Sequence, residues 1–150
     1  MTTIDLPEGF KLTPLKKIAD HRGLVMHLMK SSTLKESRVN EVYFSVVFYH
    51  VVKAWKKHLK MTQNLAVPAG MIKLVCFDDR VHSKTKGQFF EFQLGRDNYT
   101  MLTIPPLIWY GFQGISENES LIVNFADMEH DPEEIERKDE KDKLFSNYVW

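Results

Sequence analysis

The chain has 150 residues, 43% apolar and 12% aromatic, with twenty basic side chains against twenty acidic ones. Zero net charge excludes a general nucleic-acid binder, which needs a basic excess, and leaves little repulsion to oppose self-association. The length predicts a single domain over residues 1–150 with a substantial core.

The N-terminal stretch MTTIDLPEGFKL lacks the basic-then-apolar order of a signal peptide. Gly23 to Lys30 reads as a strand after the turn signal Asp20-His21-Arg22-Gly23, and Val42 to Trp55 as two strands or one bent strand. Asn64 to Val67 and Met71 to Phe77 flank Pro68-Ala69-Gly70, a predicted hairpin turn. The second of these segments holds the lone cysteine, Cys76; a single thiol cannot staple a monomer, so a buried thiol in a reducing cytoplasm is expected. Phe89 to Leu94 alternates, with Phe90, Phe92 and Leu94 on one face. Tyr99 to Ile104 stops at Pro105-Pro106, and strands follow at Trp109 to Phe112 and Leu121 to Ala126. Short strands divided by Gly, Pro and Asn turns indicate a sandwich or barrel. Asp131-Pro132 followed by EEIERKDEKDKLF then predicts a polar surface helix over about 132–146. The tail Tyr148-Val149-Trp150 is apolar enough to dock, on its own monomer or on a second subunit. No apolar run approaches the ~20 residues that span a bilayer.

Lys56-x-His58, four residues, Gln63, six residues, Gly70 resembles the first signature of a cupin barrel, with two of its three polar residues changed. Further segments resemble the dTDP-4-dehydrorhamnose 3,5-epimerase family within the cupins. Asp20-His21-Arg22-Gly23 is similar to its Asp-x-Arg-Gly, and Val52-Lys53-Ala54-Trp55-Lys56 to its Leu-Arg-Gly-Leu-His. Phe77-Asp78-Asp79-Arg80 with Ser83 and Gly87 matches a third segment. Ile104-Pro105-Pro106-Leu107-Ile108-Trp109-Tyr110-Gly111-Phe112 is similar to Ile-Pro-x-Gly-x-x-His-Gly-Phe, and Asp127 with Asp131-Pro132-Glu133 to the closing motif. The resemblance implies an all-β cupin jelly-roll barrel over about 20–127, with the short C-terminal helix appended. It also implies a homodimer, a nucleoside-diphosphate sugar as ligand, a role in surface-polysaccharide precursor synthesis, and neither a nucleic-acid nor a membrane partner.

Epimerisation beside a ketone needs a base, a group to stabilise the enolate, and an acid to return a proton on the other face. In the family these are a histidine paired with an aspartate, a lysine and a tyrosine. Here Lys56 stands at the histidine position, Gln63 near the lysine, Val123 at the tyrosine, and Asp127 keeps the aspartate. A lysine serves as base only if its pKa falls from ~10.4 to about 7–8. An opposing Asp127 would hold Lys56 charged, which makes the pair a structural ion pair. His58, two residues on, shares the Lys56 face of a strand and has the ordinary pKa of a base; the alternative is a solvent-facing residue in a basic run. Tyr110 offers the missing acid, or merely a hydroxyl closing a hydrogen bond at the barrel mouth.

The same resemblance places Arg22 and Lys53 on the diphosphate. Trp55 and Trp109 are candidates to stack on the base or sugar, or are core aromatics. Gln63 and Asn124 suit hydroxyls or the keto oxygen. Lys56, His58, Gln63 and Tyr110 present one imidazole among four, a poor metal shell, so neither metal nor other cofactor is expected. A non-catalytic nucleotide-sugar binder is the alternative reading, and a metal-dependent cupin enzyme the remote one.

Overall fold

A computed structural model of the protein describes residues 6–34 and 38–150. The first five residues of the N-terminal stretch considered above lie outside them. Strands β1 (Lys11–Pro14), β2 (Lys17–Asp20) and β3 (Gly23–Met26) precede a one-turn helix, α1 (Ser31–Leu34). The long β-branched segment divides into β4 (Glu41–Val47) and β5 (Val52–His58). Then come β6 (Gln63–Ala69), β7 (Met71–Asp78), β8 (Phe89–Gly95), β9 (Thr100–Ile104), β10 (Ile108–Gly114), β11 (Ser120–Ala126) and β12 (Ile135–Arg137).

Two five-stranded antiparallel sheets face each other, in the orders β1-β9-β6-β11-β4 and β12-β5-β10-β7-β8. Strands distant in sequence lie side by side, as when β11 enters between β6 and β4, which makes a jelly roll. Their inner faces supply one core that includes Leu65, Val67, Leu74, Cys76, Phe92, Leu94, Leu102, Tyr110 and Ile122. The alternation expected of Phe89–Leu94 holds: Phe92 and Leu94 are buried, while Glu91 and Gln93 are exposed. Burial pushes the Cys76 thiol far up. No helix among the described residues is long and apolar enough to cross a membrane.

Three expectations change. The barrel starts earlier than residue 20, because β1 pairs with β9. Pro68-Ala69-Gly70 is no hairpin: β6 and β7 belong to opposite sheets, so the turn is a corner between them. Gly70 is required there, since its φ is +76° and a Cβ would come 2.4 Å from the Ser120 hydroxyl. The helix over 132–146 does not form. Asp131 caps a 3₁₀ turn at Pro132–Glu134, as its sequence suggests, but the chain then extends as β12 and ends in a second 3₁₀ turn at Lys143–Phe145. The polar run had helical composition but no apolar stripe to hold a helix down, and pairing with the open edge of β5 prevails. Phe145, Tyr148 and Trp150 fold back onto the outer face of the second sheet, where Trp55 stacks on Phe145 at 4.3 Å and meets Trp150 at 5.1 Å. The tail therefore docks on its own monomer.

Candidate active site

A bulge in β5 builds the site. Lys57 and Lys56 pair with Trp109 and Tyr110, but Lys53 pairs with Phe112, so Ala54 and Trp55 together face Gly111. Position 111 must be glycine, because a Cβ there would lie 2.5 Å from that of Ala54. The extra residue turns Lys53 to the inward side with Lys56 and His58, while Trp55 and Lys57 pack outside against Phe145 and Trp109. β12 then pairs alongside and sets Arg137 opposite Lys56 and Ile135 opposite His58.

Two adjoining cavities result, both walled by Lys56 and Arg137. The larger, about 520 Å³, is bordered also by Lys53, Trp55, Tyr110 and Lys138, with Asp139 as its one carboxylate. The smaller, about 240 Å³, adds Tyr43, His58 and Gln63.

His58 is 4% exposed. Its Nδ1 lies 2.5 Å from Oε1 of Glu134, and the other Glu134 oxygen accepts the backbone N–H groups of Leu59, Lys60 and Met61, each at 3.2 Å. Burial raises the Glu134 pKa, but His58 and these donors outweigh it, so the carboxyl stays below its ordinary value and ionised. A carboxylate facing Nδ1 requires the proton on that nitrogen, which leaves the Nε2 lone pair directed at the cavity. Nε2 sits 3.3 Å from the Gln63 amide nitrogen. Burial lowers the His58 pKa against the opposing pull of Glu134, so the ring is neutral at pH 7.

Asp127 does not meet Lys56. Its Oδ1 accepts the Thr62 N–H at 2.9 Å, because the end of β11 runs beside the start of β6. Without that carboxylate, burial and then the charges of Arg137 and Lys53 lower the Lys56 pKa to about 8. The ion pair expected between Lys56 and Asp127 is replaced by a partly deprotonable amine, and Glu134 is the carboxylate that engages the histidine.

The structure brings Lys53, Lys56, His58, Gln63, Trp55 and Tyr110 around the cavities. Tyr110 is 1% exposed, its hydroxyl has no hydrogen-bond partner among the described residues, and its ring lies 6.1 Å from His58 and 5.2 Å from the Lys56 amine. Gln63 Oε1 is likewise buried and unpaired, and buried orphans of this kind suit a ligand. Trp109 lies under Lys57 and Lys138 in the outer cluster, and Asn124 bonds to Tyr43 O and Ser45 Oγ. Arg22 is exposed at the β2–β3 turn, bound to Asp20. These three line neither cavity. Glu134, Arg137 and Tyr43 were not singled out from the sequence. The first two sit in the segment read as a surface helix; the only hint was the apolar Ile135 within a charged run.

A jelly-roll barrel whose cavities hold an imidazole and a group of cations has the form of a cupin. The family profile described as dTDP-4-dehydrorhamnose 3,5-epimerase matches residues 3–144, and the chain belongs to that family. It is 31% identical over 118 residues to the probable low-salt glycan biosynthesis epimerase Agl13 of Haloferax volcanii, covering 77% of this chain and 76% of that one. To the spore coat polysaccharide biosynthesis protein SpsL of Bacillus subtilis it is 28% identical over 131 residues, 87% of either chain. The crystal structure of a dTDP sugar isomerase from Desulfovibrio desulfuricans G20 superposes with a TM-score of 0.88 at 40% identity, over 92% of this chain and 88% of that one.

Proposed function

We propose that the protein epimerises a 4-keto-6-deoxyhexose carried on a nucleoside diphosphate, in the cytoplasm, as a step toward a surface polysaccharide. One observation carries the reading: a neutral histidine, fixed by a buried carboxylate with its free nitrogen inward, shares a cavity with the cations Lys56 and Arg137. His58 Nε2 takes the proton from the carbon beside the ketone. The electron pair moves onto the ketone oxygen, where the positive charge of Lys56 and Arg137 stabilises the enolate. Lys53 and Arg137 take the diphosphate in the larger cavity. The relatives support this reading, being by name a glycan-biosynthesis epimerase and a coat-polysaccharide biosynthesis protein.

The test is solvent exchange. With dTDP-4-keto-6-deoxyglucose in D2O, deuterium enters at C3, C5 or both, as followed by NMR, and His58→Asn abolishes the exchange. Nucleotide-sugar binding without exchange would leave a binder and end the enzyme reading.

The working unit is a homodimer of single-domain chains. Edge strand β4 and the loop after it expose Val42, Phe44, Phe48, Tyr49 and Val51, an apolar surface fit for a second copy. Light scattering after gel filtration gives twice the chain mass, and Phe44→Lys gives the monomer. A monomeric wild type would remove this assignment.

A further inference from the structure

Epimerisation requires a proton donor facing the base, and the family's tyrosine position here is Val123, buried and without a proton to give. We propose that Tyr43, on the sheet opposite His58, is the acid that returns a proton to the second face of the sugar carbon, an assignment resting on the epimerase reading above.

Tyr43 and His58 belong to different walls of the same cavity, Tyr43 to β4 of the first sheet and His58 to β5 of the second. Alternation along β4 turns Tyr43 inward while Val42 and Phe44 face solvent. The strand register places Tyr43 beside Asn124 and Phe44 beside Val123. The phenol therefore enters from the neighbouring strand on the face it shares with Asn124, whereas Val123 shares the other face with Phe44. Gln63 stands at the base: its amide nitrogen is 3.3 Å from His58 Nε2, and it lines the same cavity as Tyr43. A substrate carbon displacing that contact would have the imidazole on one side and the phenol on the other. Burial keeps Tyr43 protonated at neutral pH, while Arg137 favours the phenolate left after transfer. Tyr110, the rival hydroxyl, belongs to the same sheet as His58 and borders the larger cavity, not the one that His58 and Tyr43 share.

The step balances. The enolate carbon takes the Tyr43 proton, a C–H bond forms from the enolate electron pair, and the ketone C=O returns. Phenolate and imidazolium then exchange one proton through solvent, which restores both.

Tyr43→Phe separates the two half-reactions. In D2O it continues to exchange deuterium at the carbon His58 deprotonates, but formation of inverted product, read from ring proton couplings, falls at least ~100-fold. Melting temperature and dTDP affinity measured alongside show that the fold is kept. Inversion by Tyr43→Phe at the wild-type rate, or its loss in Tyr110→Phe with Tyr43→Phe unaffected, overturns the assignment. Should the variant not fold, 3-fluorotyrosine at position 43, a stronger acid, supplies the second test. It moves the alkaline loss of inversion to lower pH, and an unmoved profile overturns the proposal equally. Wild-type protein that exchanges nothing would end the epimerase reading itself; exchange without dependence on Tyr43 would end only this inference.

Discussion

Replacing Glu134 by glutamine changes one atom and sets two demands against each other. The carboxylate accepts on both oxygens, from His58 Nδ1 on one and from three backbone N–H groups on the other. A carboxamide accepts on one side only. The three amides, fixed in the chain, claim its oxygen and leave the NH2 facing Nδ1. His58 then relieves the clash by moving its proton to Nε2, which puts N–H where the lone pair had faced the cavity. Charge-assisted bonds become neutral ones, at a cost of about 1–3 kcal/mol, or roughly 2–4 °C in Tm for each kcal/mol. The effect on chemistry is larger, because a base in the wrong tautomer cannot accept a proton; losses of roughly 10²–10⁴ in C–H exchange are expected. The assay is deuterium incorporation by NMR beside a thermal melt. A Glu134→Gln protein that melts lower but exchanges at the wild-type rate would refute the tautomer argument and leave Glu134 a purely structural residue.

Three further outcomes follow from the same geometry. Lys56, with its pKa lowered to about 8 by burial and neighbouring cations, loses charge on mild alkalinisation. Calorimetric dTDP affinity is expected to fall from pH 7 to 9, and Lys56→Met to be weaker at pH 7, flatter with pH and higher in Tm. Leu107 holds φ +67° where the family motif has glycine. The left-handed conformation costs about 1–2 kcal/mol and glycine's extra chain entropy about 0.5–1, so Leu107→Gly is expected to raise Tm slightly in a thermal melt. Asp78 is buried, and although burial pushes its pKa up, bonds from Arg80, Ser83 and Thr85 hold it well below the ordinary 3.8. Its contribution is complete above that value and is lost on acidification through the lowered one. Asp78→Asn should cost about 3 kcal/mol or more in urea unfolding at pH 7, with a smaller difference from wild type below pH 3.

Much of the barrel was legible because its strands carry alternation and its turns carry glycine and proline, as Phe89–Leu94 and Pro105-Pro106 do. The corner at Gly70 was not, because a turn signal does not say whether the next strand stays in its sheet. The candidate site was half legible. His58 and Lys56 followed from spacing, whereas Arg137 and Glu134 required knowing that a charged run would pair with β5 instead of coiling. Composition favours helix there, and only tertiary contact reverses it. Tyr43 was hidden for another reason: its strand was visible, but the facing of that strand toward His58 depends on how two sheets meet.

The extra residue in β5 has a practical consequence for mutagenesis. Stepping along the strand in twos would group Lys53 with Trp55 and Lys57, yet Lys53 shares its side of the sheet with Lys56 and His58. A scan sorted by odd and even position would mix substitutions that weaken ligand affinity with ones that unseat the aromatic backing. The change of phase at Ala54 and Trp55 is where the two phenotypes should trade places.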